Sequence, residues 1–493
     1  MTGRTWLTDD GRIDDRVPDQ VGRTHCAELW FAGDRVYKRK RPVVLGFLDF
    51  STLDARRSAC DREVELNRRL APDVYLGVVD VHDAAGDTVD VAVEMRRLPD
   101  DRRLATLAAA GADAGACVRA VARQIAVLHA AQPPAAHPER YAGVTALRAN
   151  WDDNLAVLRA QGDLVPPALV AAIAADVDRW LAGRRPLIAA RIAAGMVRDG
   201  HGDLQARDIF CLPDGPRVLD CLEFSDRYRI GDVLLDTAFL AMDLERLGRA
   251  DLAHVLLDTY RELTDAHHPL SLVHHHVAYR AGVRAKVACL SADADATGEQ
   301  AAALAALAAH HLRRGRVRLV LVGGLPGTGK STLGAAVSRR HGWVLLRTDE
   351  VRKDLVGVAH DRNAGADAYR PDVTAATYAE LLRRAERLLG MGESVVLDAS
   401  WSAAGHRAAA ADVAARTHSE LWQLRCDVAP EIAHARLAGR AGDASDATAT
   451  VHDRMAVGFA TWDDAVVVAT AAPPDVVADA VDRTIGLPPD PDE

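Results

Sequence analysis

Gly324-Leu325-Pro326-Gly327-Thr328-Gly329-Lys330-Ser331 meets every fixed position of GxxxxGK[ST], a loop built to cradle nucleotide phosphates. Residues 317–322 before it form an apolar run that predicts a buried strand, and a helix is predicted from about Lys330, so the loop has the flanks it requires. Glycines let backbone N–H groups turn toward phosphate, a helix N-terminus favours anions, Lys330 can reach the β and γ phosphates, and Ser331 can ligate Mg²⁺. Gly324, Gly327, Thr328, Gly329, Lys330, Ser331 and Thr332 are therefore the expected contacts to ATP. The motif specifies nucleotide binding and leaves the reaction open.

Downstream, strand-like runs at residues 343–347, 394–397 and 421–427 alternate with helical stretches, which predicts a parallel sheet and an α/β domain over residues 316–493. Ligands in such sheets sit at the carboxyl ends of strands. Asp349, Arg352 and Lys353 follow the second strand there, and Asp398 follows the third, suited to Mg²⁺ or its water. Arg436 and Arg440 fall four apart on one predicted helix face, before a loop with Ser445 and Asp446, where they could close over a transferring phosphoryl group.

Upstream the pattern differs. Residues 29–39 read as a hairpin turning at Ala32-Gly33-Asp34, with Val36, Lys38 and Lys40 on one face. Ser51-Thr52-Leu53-Asp54 resembles a capping box opening a helix that carries Glu63, and strand-like pieces follow at 74–81 and 89–95. From about residue 104 to 312 the chain reads as mostly helical and alanine-rich, interrupted near 197–224. A small β-rich lobe followed by a large helical lobe is expected over residues 1–312. Within the interruption, His201-Gly202-Asp203-Leu204-Gln205-Ala206-Arg207-Asp208 has the outline of the kinase loop HxDxxxxN, and Asp220 follows a short strand at the distance of a Mg²⁺-binding aspartate. A hairpin lysine needs an ion-pair partner to stay on the phosphates; Lys38 is the first choice, Lys40 the second, and Glu63 the partner. Residues 91–98 are placed as the hinge.

Composition bounds these readings. The chain has 493 residues, 49% hydrophobic and 26% charged, an ordinary soluble makeup with room for two to four domains. Net charge is −10 and acids outnumber bases on both sides of residue 312, which disfavours nucleic acid as a partner. The seven cysteines are scattered without a CxxC pair, unlike a disulfide framework or zinc site, and no apolar run reaches membrane-spanning length, so a cytoplasmic location is expected. Histidines 274–276 with 267–268 read as a surface cluster, since neighbours on a helix point to different sides. Only five lysines occur beside 55 arginines: Lys38, Lys40, Lys286, Lys330 and Lys353. Lys286, on a helix with Arg280 and Arg284, could meet an anionic substrate in the first domain's cleft or lie on a solvated face.

Residues 316–483 resemble the P-loop kinase group that includes zeta-toxin-like kinases, the kinase domain of bacteriophage polynucleotide kinase, and gluconate and shikimate kinases. The resemblance implies that Asp349 accepts the acceptor hydroxyl's proton, Arg352 positions the acceptor, and Arg436 or Arg440 acts as a lid arginine. Val36-Tyr37-Lys38, Gly46-Phe47-Leu48-Asp49-Phe50-Ser51-Thr52-Leu53, the His201-Gly202-Asp203-Leu204 loop, Asp220-Cys221-Leu222-Glu223-Phe224 and Asp236-Thr237-Ala238-Phe239-Leu240 resemble the aminoglycoside phosphotransferase and choline kinase group. More narrowly, the chain is similar to bacterial proteins joining such a domain to a C-terminal P-loop ATPase. This implies an α+β protein-kinase-like bilobal domain followed by the α/β P-loop domain, with ATP and Mg²⁺ in each. Asp208 stands where the phosphotransferases have Asn, and residues 22–27 make a poor glycine-rich loop. Three functions remain open: phosphorylation of a small-molecule hydroxyl, ATP-dependent regulation through a degenerate kinase-like domain, and polynucleotide 5'-hydroxyl phosphorylation by the second domain.

Overall fold

The computed structural model describes residues 7–9, 11–13, 17–23, 26–45, 48–264, 268–290, 294–362, 364–439 and 448–486. They divide into two compact units. The first holds a six-stranded sheet in the order Leu7–Thr8, Tyr75–His82, Thr88–Arg96, Arg35–Lys40, Ala27–Ala32, Gln20–Arg23. The expected hairpin is its centre: Ala27–Ala32 runs antiparallel to Arg35–Lys40 with Leu29 opposite Lys38, and Gly33 takes the left-handed turn position at φ 57°.

Strand alternation puts Val36, Lys38 and Lys40 on one face. Val36 joins an apolar cluster with Cys60 and Val64 of the helix Leu53–Asn67, so this helix packs on the lysine-bearing face and brings Glu63 with it. Thr52 caps the helix through a 3.2 Å bond from the Ala55 N–H. The cap thus falls one residue later than the expected Ser51 to Asp54 box, and Ala55 stands where a box opened by Thr52 needs Glu or Gln, so Thr52 caps without a reciprocal side chain. Beyond Arg96 the unit is mainly helical. The antiparallel pairs Val197–Asp199 with Ile230–Asp232, and Ile209–Leu212 with Gly215–Val218, frame the loop containing Asp203.

The second unit is built on five strands, all parallel, in the order Val344–Arg347, Val395–Asp398, Arg318–Gly323, Glu420–Asp427, Val466–Ala469. Four match the predicted runs. Val466–Ala469 was not predicted, because four apolar residues in an alanine-rich tail give little periodicity to read. This unit also takes in Ala168–Ile188 and His268–His275. Arg184, 1% exposed, donates to the carbonyls of Leu389 and Thr417, Arg316 pairs with Asp176 at 3.0 Å, and Ser271 Oγ donates to the Gly392 carbonyl at 2.7 Å.

Two expectations are corrected. The histidines of 274–276 are not a surface cluster: His275 stacks on Trp180 with centroids 3.7 Å apart, His276 is buried, and His274 Nδ1 lies 3.0 Å from His311 Nδ1. Their helix, Leu270–Leu290, is enclosed on most sides, so diverging side chains find protein rather than water. His267 lies outside the described residues. The scattered cysteines do include one disulfide, Cys117 to Cys211, which a sequence separation of 94 hides from spacing arguments. No described helix is long and apolar enough to cross a membrane.

Candidate active sites

In the first unit, Lys38 Nζ sits 2.8 Å from Glu63 Oε1 and 2.6 Å from Asp220 Oδ1. Lys40 takes the other Glu63 oxygen, Oε2, at 2.6 Å and also bonds Glu223. Burial alone would favour neutral lysines, but Asp220 and Glu63 outweigh it and hold the Lys38 pKa well above its ordinary value. Both lysines line one cavity, Lys38 half-buried and Lys40 only 1% exposed. Position 38 is thus the more accessible of the two ammonium groups, and position 40 braces the glutamate from its other oxygen.

Asp220 occupies the left-handed region at φ 64°, uncommon for a residue with a side chain, and its N–H donates to Tyr75 Oη at 3.1 Å. Lys38 depresses its carboxyl strongly against the effect of burial. Across from it, burial and the Asp220 charge push the Asp208 carboxyl up to about 7. Burial likewise raises Asp203. Arg207 spans the two, 3.2 Å from Asp208 and 3.9 Å from Asp203. Asp220 has Lys38 and Asp203 has Arg284 in reach, but the three carboxylates still repel one another enough to raise Asp208, an arrangement that suits a divalent cation.

Sequence reasoning did not assign a role to the residues that shape this loop. Buried Asp236 accepts the backbone N–H groups of His201 at 2.6 Å and Gly202 at 2.9 Å, and its Oδ2 lies 3.1 Å from His129 Nε2. His129 Nδ1 in turn bonds Tyr260 Oη at 2.8 Å. Although burial opposes it, the His129 contact and the two backbone donors hold Asp236 well below the usual carboxylate range. Asp236 was visible as part of a phrase, but its partner His129 lies 107 positions away with no motif to mark it.

Lys38, Asp203, Asp208 and Asp220 line a cavity of about 1240 Å³. Leu29, Val36, Met95 and Phe210 make one apolar end, close to the segment expected as the hinge; Asn154, Tyr279, Arg284 and Lys286 line another part. Residues 24–25 and 46–47, within two of the sequence phrases, lie outside the described residues.

In the second unit the phosphate loop leaves the central strand Arg318–Gly323 and enters the helix Lys330–His341. Gly327 and Gly329 have φ 82° and 88°, and a Cβ at Gly327 would stand 2.6 Å from the Ala433 carbonyl. Gly327 therefore has no room for a side chain, and both glycines take a backbone conformation that other residues rarely adopt. Thr328 Oγ1 donates to the Leu325 carbonyl at 2.8 Å, Ser331 is half-buried at the helix start, and Thr332 is exposed. Arg436 donates to the Thr470 carbonyl at 2.8 Å, and its guanidinium stands 3.3 Å from where a Gly329 Cβ would be, against the loop. Arg440, Ser445 and Asp446 lie outside the described residues.

Asp398 closes the strand Val395–Asp398, 4% exposed, with Oδ2 3.2 Å from Arg347 and Oδ1 buried without a partner. That orphaned oxygen fits a cation ligand. Burial pushes the neighbouring Cys426 thiol up to about 12, with Lys330 and Asp398 acting on it in opposite senses, so both lie close to it. Arg347, at the carboxyl end of its strand, was the charged neighbour not foreseen. Asp349 and Arg352 both act on the charge of Tyr378, and Thr348 Oγ1 donates to the Asp398 carbonyl at 3.2 Å, so the strand ends converge. Arg352 is buried, donating to the Ala368 carbonyl at 2.9 Å, and Lys353 donates to the His360 carbonyl at 2.9 Å.

Comparison with known proteins finds a family model matching each part of the chain. Residues 35–271 match the model of the phosphotransferase enzyme family, and residues 319–461 match that of an AAA domain. Uncharacterized proteins of Mycobacterium tuberculosis and Mycobacterium bovis are each 40% identical over 478 residues, covering 94% of this chain and 96% of theirs. Among solved structures, choline kinase from Cryptosporidium parvum is 11% identical, covers 60% of this chain and 88% of its own, and has a TM-score of 0.41. The Mycobacterium tuberculosis APS kinase is 22% identical, covers 35% of this chain and 98% of its own, and has a TM-score of 0.26.

Proposed function

The chain belongs to the family of these mycobacterial relatives, in which a phosphotransferase-family domain precedes an AAA domain, and is an ATP-dependent kinase; on that premise we propose that its first domain phosphorylates a hydroxyl of a small molecule and that each domain binds its own ATP. The observation that carries this reading is the grouping of Lys38, Asp220, Asp208 and Asp203 around one cavity, with buried Glu63 holding Lys38 from behind.

Lys38, fixed from two sides, would pair with the ATP phosphates, and the apolar end of the cavity would take the base. Asp208 and Asp220 would hold Mg²⁺ in the first domain, and Ser331 with Asp398 in the second; the ion offsets phosphate charge and orients the phosphates in line. Asp203 accepts the proton as the acceptor oxygen approaches the γ-phosphorus, and its raised pKa makes it a better proton acceptor than a solvated carboxylate. Asp236, gripping the His201 and Gly202 amides, keeps that carboxylate in place. Catalysis comes from positioning and charge neutralisation rather than covalent chemistry.

In the second domain the Gly324 to Thr332 segment would hold ATP, with Lys330 on the phosphates, Arg436 against the loop, and Asp349 as proton acceptor. Arg352 and Lys353 spend hydrogen bonds on carbonyls of their own domain, so they shape the acceptor pocket wall more than they reach into it. The deciding experiment measures acceptor-dependent ADP release by wild type, Asp203→Asn and Lys330→Ala. Loss confined to Asp203→Asn assigns the reaction to the first domain; turnover unchanged in Asp203→Asn rejects that assignment.

A further inference from the structure

Arg284 and Lys286 both line the first domain's cavity. Both lie on the helix Leu270–Leu290, both are half-buried, and neither has an acidic partner within ion-pair distance among the described residues. Other acids lining this cavity outside the Asp203, Asp208 and Asp220 group are already matched: Asp153 with Arg227 at 3.0 Å, Asp100 with Arg103 at 2.8 Å, and Glu223 with Lys40. Lys286 is therefore left without an ion pair on this wall, while Arg284 lies within electrostatic reach of Asp203, the proposed base.

A second, independent observation points to a ligand on the same wall. Asn154 is 1% exposed, lines the cavity, and its Nδ2 has no hydrogen-bond partner. A buried amide donor left unpaired is costly, by an amount a ligand acceptor would recover. Burial lowers the pKa of both Arg284 and Lys286, and the acids in reach, Asp203 and Asp243 for Arg284 and Asp153 for Lys286, offset it only in part. On the helix the two are about 200° apart, so the intervening arc with Val283 and Val287 forms the floor of the recess they flank.

We infer that the acceptor of the first domain is an anionic hydroxylated small molecule, whose carboxylate or phosphate ester is held by Lys286, Arg284 and Asn154 while its hydroxyl faces Asp203. This rests on the phosphotransfer reading given above. The acceptor oxygen forms a bond to the γ-phosphorus of ATP, the bond from that phosphorus to the β–γ bridging oxygen breaks, ADP leaves, and the hydroxyl proton passes to Asp203. A cationic acceptor would meet Lys286 with no ion-paired acid on it and Arg284 close by, which this wall disfavours.

The test uses the full chain with ATP and Mg²⁺ and measures ADP release with glycerate and gluconate, with glycerol 3-phosphate and glucose 6-phosphate, with glycerol and glucose, and with choline and kanamycin. The expected result is Asp203-dependent turnover with at least one anionic pair, at a kcat/KM roughly tenfold or more above its neutral counterpart. Which pair responds distinguishes carboxylate from phosphate. Lys286→Gln should raise KM for that acceptor roughly 10- to 100-fold, Lys286→Arg should restore most of it, and Lys286→Glu should move preference toward neutral or cationic acceptors. Asp203-dependent turnover that prefers neutral or cationic acceptors and ignores Lys286→Gln overturns the inference while leaving phosphotransfer standing. If no arm turns over, the phosphotransfer assignment fails, and calorimetric titration with gluconate and glycerol 3-phosphate decides the anion site separately: binding abolished by Lys286→Gln and Arg284→Gln supports it, and no binding rejects it.

Discussion

Lys38 Nζ and Asp220 Oδ1 meet at 2.6 Å across 182 positions of sequence. The contact ties a strand of the first domain's sheet to the residue that follows the hairpin Ile209–Val218, and Glu63 closes the triangle from the helix between. The two carboxylates hold the ammonium that is proposed to pair with the ATP phosphates. This arrangement also accounts for the retention of lysine in an arginine-rich chain: a compact ammonium fits between two carboxylates where a planar guanidinium fork does not.

Lys38→Ala and Lys38→Arg should both impair use of ATP by the first domain, with kcat/KM down roughly 10²- to 10³-fold for the alanine variant, the range seen when one electrostatic contact to the transition state is removed. Arginine should rescue little. Steady-state kinetics at saturating acceptor check this, and near-normal turnover by Lys38→Arg would falsify the assignment.

Nucleotide stoichiometry separates the two proposed sites. Titration of the wild-type chain with a non-hydrolysable ATP analogue and Mg²⁺ should give two equivalents bound, Lys330→Ala one, Lys38→Ala one, and the double variant none. Two equivalents retained by Lys330→Ala would remove the phosphate loop from the binding model.

Asp203→Asn should lower turnover roughly 10²- to 10⁴-fold, the span of a general base, while the equivalents of analogue bound stay at two. A parallel loss of nucleotide binding would mean that Asp203 holds the loop together rather than taking a proton.

Much of this was legible because short motifs carry it. The phosphate loop, the His201-Gly202-Asp203 turn and the Lys38 hairpin each place their residues within a few positions, and periodicity found four of the five strands in the second sheet. What remained hidden was long-range. His129 braces Asp236 over 107 positions, Cys117 reaches Cys211 over 94, and Arg347 pairs with Asp398 only because neighbouring parallel strands align their ends. No spacing rule marks such partners. The buried histidines misled for the same reason: helical period tells where side chains point, not what stands there.

Asp236 gives a pH-dependent stability test. Its carboxyl lies below its ordinary value in the folded state, so its contribution is whole above the unfolded carboxylate pKa of about 4 and is lost as pH falls toward the folded value. Asp236→Asn should destabilise the chain by roughly 3 kcal/mol near neutrality, as expected when one partner of a buried polar pair is removed. Denaturant melts at pH 7, 5 and 3.5 should show the gap to wild type shrinking only at the lowest pH. A gap independent of pH would mean that the carboxylate charge is not what supports the His201 loop.

The cysteines provide the last test. Cys117 lies on the helix Gly115–Ala131 and Cys211 on the strand Ile209–Leu212, three positions beyond Asp208, so their bond fastens the strand after the candidate catalytic loop to the helical part of the same domain. The other five cysteines are free thiols, four of them buried. Alkylation of the denatured chain without reductant should therefore label five thiols, and after reduction seven, read directly by intact mass. By constraining the unfolded chain, closure of a loop this long contributes about 4 to 5 kcal/mol in the chain-entropy account. Cys117→Ser should accordingly lower the denaturant midpoint in oxidised samples and leave it equal to that of reduced wild type. Seven thiols labelled before reduction would show that the two sulfurs are neighbours without a bond, and the stability difference should then vanish with it.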